Sequence, residues 1–213
     1  MPVPDHKIKL SILILSIPSR NAKMIDLFNK VQAQVGALNE RQSVELLVLM
    51  DNCSKSIADK RNDLLRASRG KYIAFLDDDD DVSEFYISAL IESMNSSGSP
   101  DCITFNQHCL IDGDSMVVNF GIGHPNGELV RDQSGSLMDV KRPPYHMCLW
   151  KRELALSEKF NSVYGKNGQS TEDFDWLLRL YPKTKTEMHI DAILHYYIYN
   201  SKTSASLISR ELQ

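Results

Sequence analysis

The amino-acid sequence predicts an α/β fold whose sheet is mostly parallel and flanked by helices. Three short apolar runs, at residues 9–17, 44–50 and 71–76, have the length and the aliphatic content of buried strands. Segments with apolar residues at helical spacing separate these runs, so the predicted order is β-α-β-α-β. Strands that alternate with helices pair in parallel and are covered on both faces.

The helices of the first half follow from the spacing of their apolar side chains. Pro18 ends the first strand. The helix after it places five apolar side chains on one face: Met24, Leu27, Phe28, Val31 and Val35. A second helix is predicted at residues 57–68, with Gly70 as its stop signal, and a third at residues 83–94.

A hairpin opens the second half of the chain. Residues 101–111 and 116–122 flank Asp112-Gly113, a dipeptide typical of tight hairpin turns. The glycines, prolines and polar residues of segment 121–144 predict an irregular loop, and residues 145–150 predict a further strand.

A helix and a strand are predicted toward the end of the chain. Ser170, with Asp173 three residues later, resembles a capping box at the start of a helix at residues 170–181. Residues 192–200 predict the last strand. We expect a single domain over residues 1–213, divided into a mainly parallel half at about 8–100 and a mixed β and irregular half at about 101–213.

The composition is that of an ordinary globular protein, since 42% of the 213 residues are hydrophobic and 24% are charged. A net charge of −4 gives no global reason to expect nucleic-acid binding. The longest apolar run, at residues 10–17, is too short to span a membrane, and the first ten residues lack a signal-peptide pattern. Four cysteines without a CxxC pair predict reduced thiols in a cytoplasmic protein.

Polar clusters follow the three predicted strands, at residues 16–20, 51–54 and 77–81. Ligands of open parallel sheets bind outside the carboxyl ends of the strands, so we expect these clusters to lie together. Five consecutive aspartates suit a hard divalent cation, Mg²⁺ or Mn²⁺, that would neutralise a departing diphosphate. The alternative is a solvated acidic turn; the strongly apolar strand beside the run favours the metal site.

Two further groups of charged residues have both a structural and a functional interpretation. Glu172 and Asp173 stand at a predicted helix start, where the helix dipole stabilises carboxylates and where a general base could also be placed. Lys60 and Arg61 are either exposed helix charges or ligands of a diphosphate. His195, in an apolar strand, is interpreted as a satisfied core histidine.

Taken together, these motifs resemble the family 2 glycosyltransferases, whose nucleotide-sugar-binding fold is called GT-A. The matching segments are SILILSIPSR, LLVLMDNCS, DKRNDLLRASRGKYIAFLDDDDD and STEDFDWLLRL, which run from about residue 9 to residue 181. The middle segment is the most specific, and it also resembles glycosyltransferases carried by bacteriophages. The first half of the chain would then bind a nucleotide sugar and the second half an acceptor.

The resemblance implies a role for each matched residue. The residues beside the nucleotide sugar would be Ser16, Pro18, Arg20, Asp51, Asn52, Arg61, Asp77 and Asp78. Within that set, Asp51 would lie near the base, usually uracil. Asp79 would bind Mn²⁺ or Mg²⁺, with Asp80 as the rival ligand because the run leaves the register open by one residue. Asp173 would be the general base of an inverting displacement, with Glu172 beside it.

The sequence departs from the family pattern at three places, one of which is the missing proline a few residues after the aspartates, where Glu84 or Phe85 stands. Asn52 stands where the family often has a second aspartate, which bears on the choice of nucleobase. The late Tyr-Arg-x-His segment corresponds to residues 197–200, in which Ile198 replaces the arginine and Asn200 replaces the histidine. Asn200 is then the remaining candidate for a second protein ligand to the metal.

We therefore expect a metal-dependent inverting glycosyltransferase that moves a sugar from a UDP-sugar to a glycan hydroxyl. The candidate acceptor contacts are His146, Trp150 and Arg142. One alternative is a phage-type enzyme that acts on a hydroxymethylated DNA base in the host cytoplasm. Another is a nucleotidyltransferase, although the turn after the first strand lacks the glycines of a phosphate loop. A non-catalytic binding domain is the third, and the oligomeric state is open.

Overall fold

The computed structural model describes residues 8–96, 98–127, 129–165 and 170–199. In this part of the chain nine strands form one sheet, accompanied by five α-helices. The strands are β1 (Leu10–Ser16), β2 (Val44–Met50), β3 (Tyr72–Asp77), β4 (Asp81–Val82), β5 (Cys102–Ile111), β6 (Asp114–Phe120), β7 (Val140–Arg142), β8 (Leu149–Lys151) and β9 (Glu187–Tyr199). The helices are α1 (Asn21–Ala37), α2 (Ile57–Ala67), α3 (Tyr86–Ser96), α4 (Arg152–Ala155) and α5 (Glu172–Leu180).

The first half forms the predicted parallel sheet. β1 lies between β2 and β3 and pairs with both in parallel. The chain passes from β1 to β2 on one side and then returns to the other side of β1 as β3. This reversal opens a crevice at the carboxyl ends of β1 and β3, which end at Ser16 and Asp77. Ligands of open α/β sheets bind at such a switch point.

The helices of this half pack through the apolar faces that the sequence predicts. α1 buries Leu27, Val31 and Val35. The side chain of Gln34 ties α1 to the start of α3, because its Nε2 donates to the Ser83 carbonyl oxygen at 2.9 Å and its Oε1 accepts from the Ile87 amide at 3.0 Å. None of the helices in the described ranges is long and apolar enough to cross a membrane.

The second half is mixed, as predicted. β5 and β6 form an antiparallel hairpin whose turn residues, Asp112 and Gly113, have φ angles of 51° and 96°, both in the left-handed region that such a turn requires. β8 pairs antiparallel with β3 and with β5, so one sheet runs through both halves. β9 pairs in parallel with β5 and antiparallel with β4.

Some local structure differs from the sequence prediction. Only the last two residues of the expected strand at 145–150 are extended, as the start of β8; before them, the Cys148 amide donates to the Tyr145 carbonyl oxygen at 3.0 Å and closes a turn. The prediction of a capping box at Ser170 is wrong, because the N-cap of α5 is Thr171, and the Thr171 side chain caps no amide. β4 was not predicted, since two residues carry no periodic pattern.

Gly70 permits a close approach between β1 and the chain that enters β3. A Cβ at this position would lie 2.5 Å from the Ser11 nitrogen and 2.7 Å from the Tyr72 carbonyl oxygen. The Gly70 amide also donates to Ser11 Oγ at 2.8 Å. Its predicted role as the helix stop is wrong, because α2 already ends at Ala67.

We expect Gly70→Ala to lower the free energy of unfolding by about 1–3 kcal/mol, because the added methyl group collides with backbone atoms that cannot turn away. Urea unfolding measures the change. Gly36→Ala is the matched control, since a Cβ there meets nothing within 4 Å in α1. That control should gain roughly 0.5–1 kcal/mol. Equal effects of the two substitutions would contradict the role given to Gly70.

Candidate functional site

Hydrogen bonds join the ends of β1 and β3 at the switch point. Ser16 Oγ donates to Asp78 Oδ2 at 2.6 Å, and Arg20 Nη1 donates to Asp78 Oδ1 at 2.7 Å. Both oxygens of Asp78 are thereby held, and its side chain is buried. The structure thus brings together three residues that the sequence placed in two separate clusters.

The five aspartates occupy three different local structures. Asp77 ends β3, a turn follows in which the Asp80 amide donates to the Asp77 carbonyl oxygen at 3.2 Å, and Asp81 begins β4. Each carboxylate lies within ion-pair distance of a basic side chain. The pairs are Asp77 with Arg61, Asp78 and Asp79 with Arg20, Asp80 with His195, and Asp81 with Lys30. The protein therefore disperses the repulsion within the run over several partners.

Asp79 and Asp80 differ in exposure and in charge compensation. Burial raises the pKa of Asp79, and Arg20, at 3.0 Å, lowers it. The charge of Asp80 raises it again, and the resulting pKa is about 6. Burial also raises the pKa of Asp80, which His195 Nε2 opposes from 3.2 Å. The Asp79 side chain is 26% exposed and that of Asp80 only 5%. Asp79 is thus the more accessible carboxylate, and its charge is only partly compensated.

Arg61 is a buried cation between two acidic segments. Its Nη2 lies 3.0 Å from Asp77 Oδ1, and its Nε donates to Glu172 Oε1 at 3.2 Å. The guanidinium lies over the rings of Phe75 and Phe160, at 5.2 Å and 5.9 Å from their centroids. Burial alone would lower the pKa of Arg61, but Asp77 and Glu172 raise it above its ordinary value. Arg61 therefore ties the start of α5 to the end of β3.

His146 makes a second connection between the same elements. Its Nε2 lies 3.5 Å from Asp77 Oδ2, and its Nδ1 lies 3.3 Å from Asp173 Oδ2. Burial and Arg61 lower the pKa of His146, but Asp173 and Asp77 outweigh them and raise it to about 9. The imidazole is therefore protonated at neutral pH.

The two carboxylates that flank His146 are ionised as a consequence. Burial raises the pKa of Asp77, but Arg61 and His146 hold it well below its ordinary range. Burial also raises the pKa of Asp173, and the close contact with His146 and its charge, together with Arg61, lower it. A carboxylate that is ionised at neutral pH can accept a proton.

Asp51 follows β2 directly, and both of its carboxylate oxygens contact other groups of the protein. Lys60 pairs with one of its oxygens, and the Lys55 amide and Ser54 Oγ donate to Oδ2 at 2.7 Å and 3.0 Å. The contact with Lys60, opposed by burial, lowers the pKa of Asp51 to about 2. Lys60 also donates to the Ser16 carbonyl oxygen at 3.1 Å, so it joins the ends of β1 and β2.

The remaining predicted residues occupy less informative places. Pro18 and Asn52 are exposed beside the ends of β1 and β2, and their roles stay predictions. Arg142 is partly buried and donates from Nε to the Gly127 carbonyl oxygen at 3.1 Å. The predicted acceptor contact of Trp150 is wrong, because its side chain is completely buried in the core. Asn200 lies outside the described residues.

The buried position of His146 also argues against its predicted role as an acceptor contact. It is only 5% exposed, enclosed between Asp77 and Asp173, so it offers little surface to an acceptor. His195 is a core residue as interpreted from the sequence, and Gln107 Nε2 lies 3.0 Å from its Nδ1. Its contact with Asp80 was missed, because no local pattern relates the acidic run to the last strand.

The acidic turn fits a divalent cation in a limited way. Within the described ranges, no three His, Cys, Asp or Glu side chains converge as a ready-made metal site. Mg²⁺ and Mn²⁺ at phosphate sites, however, commonly take one or two carboxylates and complete their shell with substrate oxygens. Asp79 lines a cleft of about 310 Å³ between the turn and α1. Its raised pKa means that its surroundings disfavour the negative charge, which a bound cation would stabilise.

The fold is GT-A-like, with a mixed sheet flanked by helices. S. aureus TarS 1-349 is similar, with a TM-score of 0.60 and 14% identity over 90% of this chain. Its complexes with UDP-GlcNAc and with UDP give TM-scores of 0.59 and 0.58, identities of 11% and 13%, and coverage of 94% and 91% of this chain. The chain spans 60–61% of the length of TarS 1-349. No protein-family model and no curated protein matches the sequence.

The raised pKa of His146 predicts a pH-dependent contribution to stability. This contribution is complete below the ordinary pKa of 6.5 and is lost as the pH rises through about 9, the pKa in the folded protein. At about pH 6 we expect the wild type to exceed His146→Gln in free energy of unfolding by on the order of 1–3 kcal/mol. The difference should shrink toward about pH 10.

Urea unfolding of both proteins across this pH range provides the measurement. Groups that titrate alike in the two proteins cancel in the difference. A difference that is constant from about pH 6 to about pH 10 would show that His146 does not gain its proton affinity from the two aspartates.

Proposed function

We propose that this protein is a metal-dependent inverting glycosyltransferase that uses a UDP-sugar as donor and a glycan hydroxyl as acceptor. The observation that carries the proposal is the convergence of two acidic segments at one crevice. The aspartates at the end of β3 and the carboxylate of Asp173 are linked there by Arg61 and His146. The GT-A-like fold supports it, as does the similarity to TarS, which was solved with UDP-GlcNAc and with UDP.

The proposed reaction is a single displacement at the anomeric carbon of the sugar. The acceptor hydroxyl oxygen forms a bond to that carbon while the bond from the carbon to the diphosphate oxygen breaks. The diphosphate leaves with the electron pair of the broken bond, and the hydroxyl proton passes to the carboxylate of Asp173. Attack from the face opposite the leaving group inverts the configuration.

The nucleotide would lie at the switch point between β1 and β3. Ser16, Arg20 and Asp78 form its wall, and Asp77 lies at the end of β3 beside them. Asp79 is our choice over Asp80 as the metal-holding residue, because it is the more exposed of the two. A divalent cation bound there would neutralise charge on the leaving diphosphate.

The acceptor would approach from the side of α5. A cavity of about 350 Å³ adjoins this helix, and Phe174, which follows Asp173, forms part of its wall together with Pro143, Pro144 and Tyr181. The planar rings of Phe174 and Tyr181 suit the apolar face of a sugar ring, so we propose a glycan. The hydroxymethylated DNA base and a bacteriophage origin stay predictions from the sequence.

UDP should raise the melting temperature of the protein only when Mn²⁺ is present. At a UDP concentration about 100 times its dissociation constant, binding to the folded state contributes about 2.7 kcal/mol, or roughly 5–10 °C for a chain of this size. Asp79→Asn should remove the effect of Mn²⁺. Glu92→Gln, which removes an exposed carboxylate on α3, is the control. An equal shift with and without Mn²⁺ would refute metal dependence.

Asp173→Asn should lose transfer but keep nucleotide binding. We expect the release of UDP from a panel of UDP-sugars to fall about 10²–10⁴-fold, the range of a lost general base, with UDP affinity nearly unchanged. Asp175→Asn is the matched control, because Asp175 pairs with Arg179 on the same helix. Full turnover by Asp173→Asn would exclude Asp173 as the base.

A further inference from the structure

We propose that His146 is a positioning residue that holds the carboxylate of Asp173 in register with the end of β3. This inference rests on the proposed function and deepens it. The side chain is enclosed, with its two ring nitrogens directed to different carboxylates, Asp173 at 3.3 Å and Asp77 at 3.5 Å. It therefore acts on the reaction through Asp173 and Asp77 rather than on the acceptor.

Asp173 needs an external partner because its own helix orients only one of its oxygens. Oδ1 accepts a hydrogen bond of 2.7 Å from the Phe174 amide, within the first turn of α5. Oδ2 faces His146 Nδ1. With both oxygens assigned to separate partners, the carboxylate plane is fixed while 21% of the side chain stays exposed for a substrate hydroxyl.

The contact between His146 and Asp173 is close but is not a well-aligned hydrogen bond. At 3.3 Å, Nδ1 is within ion-pair distance of Oδ2, but the two groups are not aligned as a hydrogen bond. Catalytic hydrogen bonds are often long or poorly aligned before substrate binds and shorten in the reacting complex. We expect the same adjustment here when a nucleotide sugar fills the switch point.

The turn that carries His146 is itself anchored by hydrogen bonds. Trp150 Nε1 donates to the Tyr145 carbonyl oxygen at 2.9 Å, and the Tyr181 hydroxyl donates to the Pro144 carbonyl oxygen at 2.8 Å. The two preceding residues are thus anchored from the core and from the end of α5. A group that is fixed by its own surroundings can position a reactive side chain with the accuracy that catalysis requires.

Two substitutions separate the two contacts. In His146→Asn the amide nitrogen takes the place of Nδ1 and keeps a donor toward Asp173. In His146→Gln it takes the place of Nε2 and keeps a donor toward Asp77. The measurements are UDP affinity in the presence of Mn²⁺, by calorimetry, and the rate of UDP release from UDP-sugars with water as the acceptor. In that reaction water forms the new bond to the anomeric carbon, its proton passes to Asp173, and UDP leaves with the electron pair.

We expect His146→Gln to lower kcat about 10–100-fold, a part of the effect of a lost base, with UDP affinity within about threefold of the wild type. His146→Asn should keep more of kcat and lose more of the UDP affinity. His108→Gln, on β5, is the matched control and should change neither quantity. If the two variants lost kcat equally, and also lost melting temperature equally, the proposal would be overturned in favour of a packing role. A wild type that releases UDP from no sugar tested would instead refute the proposed function, and this inference with it.

Discussion

The candidate site depends on two buried cations that lie between carboxylates from distant parts of the chain. Arg61 joins Asp77 to Glu172, and His146 joins Asp77 to Asp173. A charge left without its partner in such a place costs about 3–5 kcal/mol, so each of these groups requires the others. The network therefore favours one register of α5 against β3, the register in which all five groups are paired, and this register decides where the proposed base lies.

The run of five aspartates follows the same physical rule. Two unit charges 4 Å apart repel by about 4 kcal/mol at an effective dielectric constant near 20, and the structure counters this by directing successive carboxylates to different partners. Compensation is incomplete at Asp79, which shares Arg20 with Asp78 and whose pKa is raised to about 6. The negative charge of Asp79 repels its neighbours, and the same charge would attract a divalent cation. Partial compensation would therefore suit the proposed metal site better than complete neutralisation.

The elements that local patterns describe could be predicted from the sequence. β2 coincides with the predicted strand, and α2 ends one residue before its predicted limit, because an aliphatic run and apolar residues at helical spacing are local signals. The partners within the site could not be predicted in this way. His146 and Trp150 looked alike as candidate acceptor contacts, and only the fold shows that one lies between two carboxylates and the other in the core. The pairing of Asp80 with His195 joins residues far apart in the chain, which no periodicity records.

Neither half of the chain holds the site by itself. The first half supplies Asp77, Asp79 and Arg61, whereas Asp173 and His146 come from the second. The same dependence recurs on the other side of the acidic turn, where β9 pairs with β4 and brings His195 to Asp80. Until the second half has folded against the first, the acidic run lacks its contacts with His146 and His195, and only the basic side chains of the first half, Arg20, Lys30 and Arg61, counter its repulsion. The full set of contacts around the aspartates is therefore complete only when β9 and the segment that carries His146 have both packed against the first half.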